Sequence, residues 1–256
     1  MINIKIPREI EIMREAGRIT AGARMLAGSL VKPGITTQEI DNAVHDYILS
    51  QGATPSFLGY GGFPASCCVS INEVVIHGIP GKRKLLAGDI VSVDVGAKWH
   101  GFHGDCAATF VCGETDELSE KLIRVTRESF FKGLEFCKKG YRISDISHAV
   151  QTHVEANGFG VVRKFVGHGV GENLHEEPEV PNFGKPGRGP RLVPGMVIAI
   201  EPMVTAGHYD VKIMADQWTT KSADGSRTAH YENTVLITDG EPEILTVTEG
   251  QWNGYI

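Results

Sequence analysis

Apolar residues recur at three- and four-residue steps soon after Pro7, the spacing of one face of an α-helix. Proline suits the first position of a helix, because the amide hydrogen that it lacks would have no partner there. The pattern stops at Pro33-Gly34. We therefore predict a helix from Pro7 to about Val31. Its repeating positions are Ile10, Met13, Ala16, Gly17 and Ala21.

A capping box marks the start of the next helix. Thr36 suits the N-cap position, and Glu39, three residues later, can accept a hydrogen bond from the backbone of Thr36. The predicted helix covers Ile40 to Leu49 and ends at Gly52, because glycine readily adopts the conformation of a helix end. Two further helices are predicted, from Leu118 to Cys137 and from Ser144 to Ala156.

Short runs of β-branched and apolar residues follow the helices and are typical of strands. Each pair of helices precedes several strands joined by turns, which favours antiparallel pairing. We predict an α+β fold. The predicted strands are Cys68–Ile71, Val74–His77, Ile90–Val95, Ala107–Val111, Val197–Ile200 and Thr234–Ile237.

Two parts of the chain have the same order of residue types. Gly88 to Asp94 and Gly195 to Glu201 each contain a glycine, a short apolar-rich run and a carboxylate, 107 positions apart. The residues from 34 to 52 align without gaps to those from 140 to 158, at an offset of 106. We predict one domain, residues 1–256, made of two pseudo-symmetric halves at approximately 1–115 and 116–256.

Composition narrows the range of functions. With 256 residues, 41% of them hydrophobic, the chain can bury a sizeable core. A net charge of −6, spread along the chain, argues against a nucleic-acid surface. No apolar run has the length of a membrane span. Five cysteines without a CxxC motif fit a reducing compartment, so we expect a cytoplasmic protein.

Asp94 and Asp105 flank a predicted hairpin turn, whose centre we place between Trp99 and His100. In that register the aspartates are paired directly, with Cβ atoms about 4.5–5.5 Å apart. Two carboxylates this close repel each other, and one takes up a proton unless metal ions lie between them. The alternative is a pair of solvent-facing acids beside a turn. Apolar neighbours such as Val93 favour the buried pair.

The second half contributes Glu201 and Glu232, each beside an apolar run. If symmetry relates the halves, these glutamates face the aspartates across the pseudo-twofold axis. Four carboxylates and one neutral imidazole then balance two divalent cations in charge. His168 is the candidate imidazole, because its flanking glycines let the backbone approach a metal closely. A lone histidine between glycines is also an ordinary loop feature, and the residue by itself leaves that alternative open.

Several motifs contain these residues and are far more specific together than singly. They are His168-Gly169-Val170-Gly171, His175-Glu176-Glu177-Pro178, the Asp94/Asp105 pair, Ile200-Glu201-Pro202, Tyr231-Glu232, Ser70 to Pro80 and Gly101 to Asp105. Together they resemble the type I methionine aminopeptidases, over nearly the whole chain. The resemblance implies a single catalytic domain with the pita-bread fold, in which two α+β halves surround a dinuclear metal site.

The resemblance also implies the metal ligands. Asp94 would bind one ion, His168 and Glu201 the other, and Asp105 and Glu232 would bridge both. It thus implies two divalent metal ions per chain. The donors are oxygen atoms and an imidazole, not thiolates. They therefore suit Co, Fe or Mn better than they suit a thiolate-type zinc site.

The implied activity is removal of the N-terminal methionine from nascent proteins and peptides that have a small second residue. A water that bridges two divalent ions becomes a strong nucleophile near neutral pH, and it would attack the first peptide bond. Glu201 would carry a proton to the leaving amine. His175 would stabilise the oxyanion, and His77 would contact the substrate.

The resemblance further implies an apolar pocket for the methionine side chain. Its implied lining residues are Tyr60, Phe63, Cys68, Leu174 and Trp218, with Phe57 nearby. The chain departs from the family pattern where Phe57 stands in place of an expected cysteine and Leu174 in place of an aromatic residue. Gly61 also replaces a polar residue. These departures concern the shape of the pocket, not the reaction.

Two other functions stay open from the sequence. One is an Xaa-Pro aminopeptidase or prolidase of the same fold, although these carry a large further domain and a different sequence after the histidine loop. The other is a non-catalytic binding protein, which would be expected to lose ligands that are all present here. Type II methionine aminopeptidases have a long insertion between the residues equivalent to His168 and Glu201, which are 33 positions apart in this chain.

The resemblance implies nascent polypeptide N-termini as partners, and it leaves ribosome association open. We expect a monomer. We expect neither membrane association nor direct sequence-specific binding of nucleic acid.

Overall fold

The structure is a computed structural model that describes residues 1–248, in which four α-helices and fifteen strands are formed. The helices are α1 (Pro7–Leu30), α2 (Thr37–Ser50), α3 (Glu117–Leu134) and α4 (Ile143–Ala156). The strands are β1 (Thr54–Pro55), β2 (Cys67–Ile71), β3 (Val74–Ile76), β4 (Ile90–Trp99), β5 (Phe102–Val111), β6 (Gly160–Val161), β7 (Gly167–Gly169), β8 (Glu176–Val180), β9 (Val197–Ile200), β10 (Met203–Thr205), β11 (Val211–Ile213), β12 (Thr220–Ser222), β13 (Thr228–His230), β14 (Glu232–Leu236) and β15 (Glu243–Ile244). The four predicted helices are confirmed.

The second helix of each half, α2 and α4, begins with a similar capping interaction. Before α2, the backbone amide of Glu39 donates to the Thr36 hydroxyl at 3.2 Å, and the Thr36 amide donates to the Glu39 carboxylate at 2.8 Å. The predicted capping box is therefore confirmed. Before α4, the Arg142 amide donates to the Asp145 carboxylate at 2.8 Å. These contacts satisfy amides that the first turn of a helix leaves without partners.

The centre of the described fold is one antiparallel sheet of nine strands. Its main path runs β1-β4-β5-β14-β9-β7-β8, with β2 paired to β4 and β15 paired to β14. Helix α1 packs on β4 and β5, and α3 packs on α4. This arrangement of separate helices and antiparallel strands confirms the predicted α+β class.

The predicted register of the β4–β5 hairpin was wrong. Asp94 lies opposite Ala107, and Asp105 lies opposite Gly96, so the two aspartates are diagonal neighbours on one face. The turn consists of two residues with positive φ, His100 at 46° and Gly101 at 93°. Such two-residue turns match the twist of the strands. The turn centre therefore lies one residue further along the chain than the sequence indicated.

A second long ladder repeats this geometry. Strands β9 and β10 pair with β14 and β13 in one register, which places Met203 opposite His230. The Met203–His230 pair occupies the position in the second ladder that the Gly96–Asp105 pair occupies in the first. In the two registers Glu201 corresponds to Asp94, and His230 corresponds to Asp105.

The loops around the two ladders also repeat. The Leu85 amide donates to Ile35 O at 2.8 Å, and the Leu192 amide donates to Tyr141 O at 2.9 Å. The exact division near residue 115 stays a prediction. The predicted second half includes residues 249–256, which lie outside the described residues. Among residues 1–248, we find no helix that is long and apolar enough to cross a membrane.

Candidate active site

Five neighbouring strands of the central sheet each bring one of the predicted ligands to the same place. In the order β4-β5-β14-β9-β7, they carry Asp94, Asp105, Glu232, Glu201 (directly after β9) and His168. The His168 Nε2 atom lies 3.5 Å from Glu201 Oε1 and 3.7 Å from Asp105 Oδ2. The structure therefore brings together residues that are far apart in the sequence.

The glycines beside His168 let its strand fit closely between two others. A Cβ atom on Gly167 would lie 2.3 Å from Ala199 O, and one on Gly169 would lie 2.4 Å from Glu177 O. The Nδ1 atom of His168 is 2.9 Å from the carbonyl oxygen of Gly169. Because a carbonyl only accepts, Nδ1 carries the ring proton and Nε2 presents its lone pair to the carboxylates.

Burial and mutual repulsion disfavour the charged form of the four carboxyl groups in the cluster. Burial raises the pKa of Asp94 to about 7, although a hydrogen bond with Asp105 opposes the change. Burial first, and then the neighbouring carboxylates, raise the pKa values of Asp105, Glu201 and Glu232 well above their ordinary range. A cation among these groups would remove the penalty.

Buried atoms without hydrogen-bond partners show where a cation fits. Asp94 Oδ1, Asp105 Oδ1 and Glu232 Oε1 are buried and have no partner. Buried carboxylate oxygens are costly unless they are hydrogen-bonded or bound to a cation. The donors are carboxylates and an imidazole, which suits divalent metal ions. The residues therefore fit the metal centre that the sequence predicts.

Surrounding polar groups hold the cluster in place through its backbone. Arg24 donates to Glu232 O at 3.1 Å, and Asn182 donates to Glu201 O at 2.9 Å. The Thr234 hydroxyl accepts from the Asp105 amide at 3.0 Å and donates to its carbonyl at 2.8 Å. These contacts fix the strands while the carboxylates themselves stay free to bind a cation.

His230 also lies at the cluster, although it was not among the predicted site residues. Its Nε2 atom is buried without a partner and lies 3.8 Å from Glu201 Oε2 and 3.7 Å from Glu232 Oε2. Burial lowers the pKa of this imidazole to about 3, so it is neutral. The only sequence signal was its position two residues before Glu232.

A cavity of about 140 Å³ opens beside the cluster. Its walls are mainly apolar, and Phe63 and Trp218 meet edge to face with ring centres 5.1 Å apart. His77 also faces Trp218, at 6.1 Å, and burial lowers its pKa to about 4. The lining residues outside the five predicted ligands are Phe57, Tyr60, Phe63, Cys68, His77, Leu174, His175 and Trp218. All predicted pocket residues therefore line one cavity.

His175 stands at the rim of this cavity, between the cluster and solvent. Its ring centre is 4.1 Å from that of His168, and its Nδ1 atom is 2.7 Å from the Tyr60 hydroxyl. Desolvation lowers the pKa of His175, which favours the neutral ring. If the tyrosine hydroxyl donates to Nδ1, the ring proton lies on Nε2, and that nitrogen can donate to a ligand.

Two of the three departures from the family pattern line the cavity, and the third, Gly61, lies beside the lining residue Trp218. Phe57 and Leu174 are part of its wall. Phe57 packs against the backbone of β4, where a Cβ atom on Gly96 would lie 2.7 Å from its ring. Gly61 has a φ of 55°, and a Cβ atom there would lie 3.3 Å from the Trp218 ring. The aromatic side chain at position 57 is thus accommodated by a glycine on the neighbouring strand.

The chain is similar to known proteins along most of its length. The model of metallopeptidase family M24 matches residues 11–239. A methionine aminopeptidase of Clostridium acetobutylicum is 56% identical over 97% of this chain and 100% of the relative. Methionine aminopeptidase 1 of Bacillus subtilis is 54% identical over 96% of this chain and 99% of the relative.

Solved structures agree. The crystal structure of methionine aminopeptidase from Thermotoga maritima matches with a TM-score of 0.94 and 48% identity, over 96% of this chain and 99% of that one. A prolidase from Pyrococcus furiosus matches with a TM-score of 0.78 and 25% identity, and this chain covers 66% of its length. The predicted pita-bread fold is therefore confirmed. The chain belongs to metallopeptidase family M24 and, within it, to the type I methionine aminopeptidases.

Proposed function

We propose that this enzyme removes the N-terminal methionine from nascent proteins and peptides whose second residue is small. The observation that carries the proposal is a single cavity that joins an apolar wall to the carboxylate and imidazole cluster. One end of this cavity can bind an apolar side chain, while the other holds the groups for hydrolysis. The relatives named methionine aminopeptidase support the same activity.

As a member of a metallopeptidase family, the enzyme uses divalent metal. We assign two ions, of Co, Fe or Mn. Asp94 would hold one ion, His168 and Glu201 the other, and Asp105 and Glu232 would be shared. When bound, such ions supply Lewis acidity for the scissile carbonyl and make water acidic enough to attack near neutral pH.

Glu201 is the group that we assign to proton transfer. Its carboxylate lies at the cavity wall, 3.5 Å from His168 Nε2, and its backbone carbonyl is fixed by Asn182. A carboxylate in this position can take a proton from the attacking water and give it to the amine that leaves.

The two histidines at the cavity have separate proposed roles. Tyr60 engages Nδ1 of His175 at 2.7 Å, which leaves Nε2 to donate to the carbonyl oxygen as it gains negative charge. His77 lies deeper, between Trp218 and Phe165, and is neutral. It can therefore contact and orient the bound peptide without adding charge to an apolar site.

The cavity wall determines the preference for methionine. Phe63, Cys68, Leu174 and Trp218 offer apolar and polarisable surface, and sulfur packs well against aromatic rings. The limited volume favours one unbranched side chain. The restriction to a small second residue rests on the family resemblance.

Two alternatives are disfavoured by particular observations. A prolidase activity would fit the shared fold, but identity to the prolidase is 25%, against 56% to a methionine aminopeptidase. A binding protein without catalysis would not need to retain four buried carboxylates at the cost described above.

We further propose that the enzyme works as a monomer in the cytoplasm on nascent polypeptide N-termini, with ribosome association as one means of reaching them. All five cysteines are buried and free, which supports a reducing compartment.

A peptide panel tests the proposed function. The metal-loaded enzyme is incubated with Met-Ala-Ser, Met-Phe-Ser and an Xaa-Pro peptide, and the released amino acid is identified by mass spectrometry. We expect free methionine from Met-Ala-Ser and far slower cleavage of the other two peptides. Faster cleavage of the Xaa-Pro peptide would establish the alternative activity instead, and Glu232→Gln serves as the inactive control.

A further inference from the structure

His230 is a buried nitrogen donor that the proposed reaction does not use. It is 2% exposed, and its Nε2 atom has no hydrogen-bond partner. The two nearest carboxylate oxygens, of Glu201 and Glu232, lie at 3.8 and 3.7 Å. These distances exceed those of hydrogen bonds. A buried polar atom without a partner is costly, so its retention in the site calls for a ligand.

The strand register explains why His230 points at the cluster. Met203 lies opposite His230 in the second ladder, just as Gly96 lies opposite Asp105 in the first. His230 thus occupies the position in the second ladder that a proposed ligand, Asp105, occupies in the first. His230 ends β13 and Glu232 begins β14, with one residue between them, and His230 Nε2 lies 3.7 Å from Glu232 Oε2.

The spacing of the donor atoms fits a shared ion. One ligand atom each from Asp94, His230 and Glu232 all lie within 4.8 Å of one another. Two donors bound to one ion through bonds of about 2.1 Å lie roughly 3–4 Å apart. The distance of 3.7 Å between His230 Nε2 and Glu232 Oε2 falls in that range. So does the distance of 3.5 Å between His168 and Glu201, which we assign to the other ion.

We propose that His230 Nε2 is a further protein ligand of the metal centre, on the ion that Asp94 and Glu232 hold. The proposal rests on the metal centre assigned under the proposed function. Each ion then has one imidazole, His168 for one and His230 for the other. A nitrogen donor favours Co, Fe or Ni over Mn or Mg, which prefer oxygen. His230 would therefore shift the metal preference of one ion and leave that of the other unchanged.

The test measures metal binding, not activity. Metal-free wild-type protein and His230→Gln are titrated with Co and with Mn by calorimetry, and bound metal is counted by elemental analysis. We expect His230→Gln to lose at least about 10-fold in affinity at one of two sites, with a larger loss for Co than for Mn. Equal affinities in both proteins would overturn the proposal.

His103→Gln is the matched control. His103 stands two residues before Asp105, as His230 stands two residues before Glu232, and it is also buried. Its Nδ1 atom, however, already pairs with the Ser56 hydroxyl at 2.8 Å. We expect this variant to bind both ions like the wild type. An equal loss of Co affinity in His103→Gln and His230→Gln would assign the effect to packing and contradict ligation.

A measurement on the wild-type protein covers the case in which His230→Gln does not fold. In the Co-loaded protein, proton resonances of bound imidazoles are shifted by the paramagnetic ion, and selective labelling of histidine identifies them. We expect two strongly shifted ligand histidines, whereas only one would contradict the assignment of His230. If the wild type binds no metal at all, the proposed function fails as well, and this outcome is distinct from the loss of His230 alone.

Discussion

Removing the metal ions is expected to make the folded enzyme lose stability as the pH rises from about 7 to about 8. The reason lies in the buried carboxyl cluster. The pKa values of Asp105, Glu201 and Glu232 are raised well above their ordinary range, and that of Asp94 is raised to about 7. Without metal, the folded protein therefore retains protons that the unfolded chain has already released.

The sign follows from proton linkage. A carboxyl group with a higher pKa in the folded state stabilises folding at low pH, and this contribution is lost as the pH rises toward the folded pKa. Each retained proton lowers the free energy of unfolding by about 1.4 kcal/mol per pH unit. One proton retained across this interval therefore costs about 1.4 kcal/mol, or roughly 3–5 °C in melting temperature.

Other titrating groups largely cancel over this interval. Five histidines have lowered pKa values and add stability as the pH rises, while five cysteines have raised values and remove it. Their unfolded pKa values, about 6.5 and about 8.5, lie symmetrically around pH 7.5, so the two sets nearly offset each other. The histidines are His77, His103, His168, His175 and His230. The cysteines are Cys67, Cys68, Cys106, Cys112 and Cys137.

The assay is urea unfolding of chelator-treated protein at both pH values, repeated with the metal-loaded protein. Bound cations displace the protons, so the metal-loaded protein should not show the loss. Asp105→Asn, which removes one titrating carboxyl, should reduce the slope in the metal-free protein. A metal-free protein that is equally stable or more stable at the higher pH would refute this reasoning about the cluster.

Three further outcomes are expected. His175→Ala should lower kcat by about 10²–10³, the usual cost of one oxyanion donor, and leave KM within a few-fold of the wild-type value. His77→Ala should instead act mainly on KM. An unchanged kcat for His175→Ala would remove this residue from the reaction. Glu232→Gln should reduce bound metal and abolish most activity, as judged by elemental analysis beside the peptide assay, and wild-type metal content would contradict its role. Gly167→Ala places a Cβ atom 2.3 Å from Ala199 O, so it should lower the free energy of unfolding by about 1–3 kcal/mol and weaken metal binding. Unchanged stability and metal affinity in this variant would show that the close strand contact is unimportant.

Local signals made much of the architecture predictable. The capping box at Thr36 and Glu39 identified the N-cap of α2 correctly, although the helix begins at Thr37, three residues before the predicted Ile40. The repeated run from a glycine to a carboxylate picked out Asp94 and Glu201, which occupy corresponding positions in the two ladders. A buried carboxylate after an apolar strand is a strong signal, because its energetic cost needs a compensating partner.

The remaining errors have physical causes. The register of the first hairpin depended on His100, which adopts positive φ although it is not a glycine. Strand β5 begins at Phe102, five residues before the predicted start, because this stretch is buried on both faces and shows no alternating pattern. His230 could not be recognised singly, since its link to Asp105 appears only when the registers of the two ladders are compared.

The most direct test of metal-dependent methionine removal is a titration of chelator-treated enzyme with Co, Fe or Mn. Release of methionine from Met-Ala-Ser and bound metal per chain are measured on the same samples. We predict negligible release without metal, recovery on addition, and saturation as the second ion binds. Full methionine release by protein that elemental analysis shows to be metal-free would contradict the proposed role of the Asp94, Asp105, His168, Glu201 and Glu232 cluster.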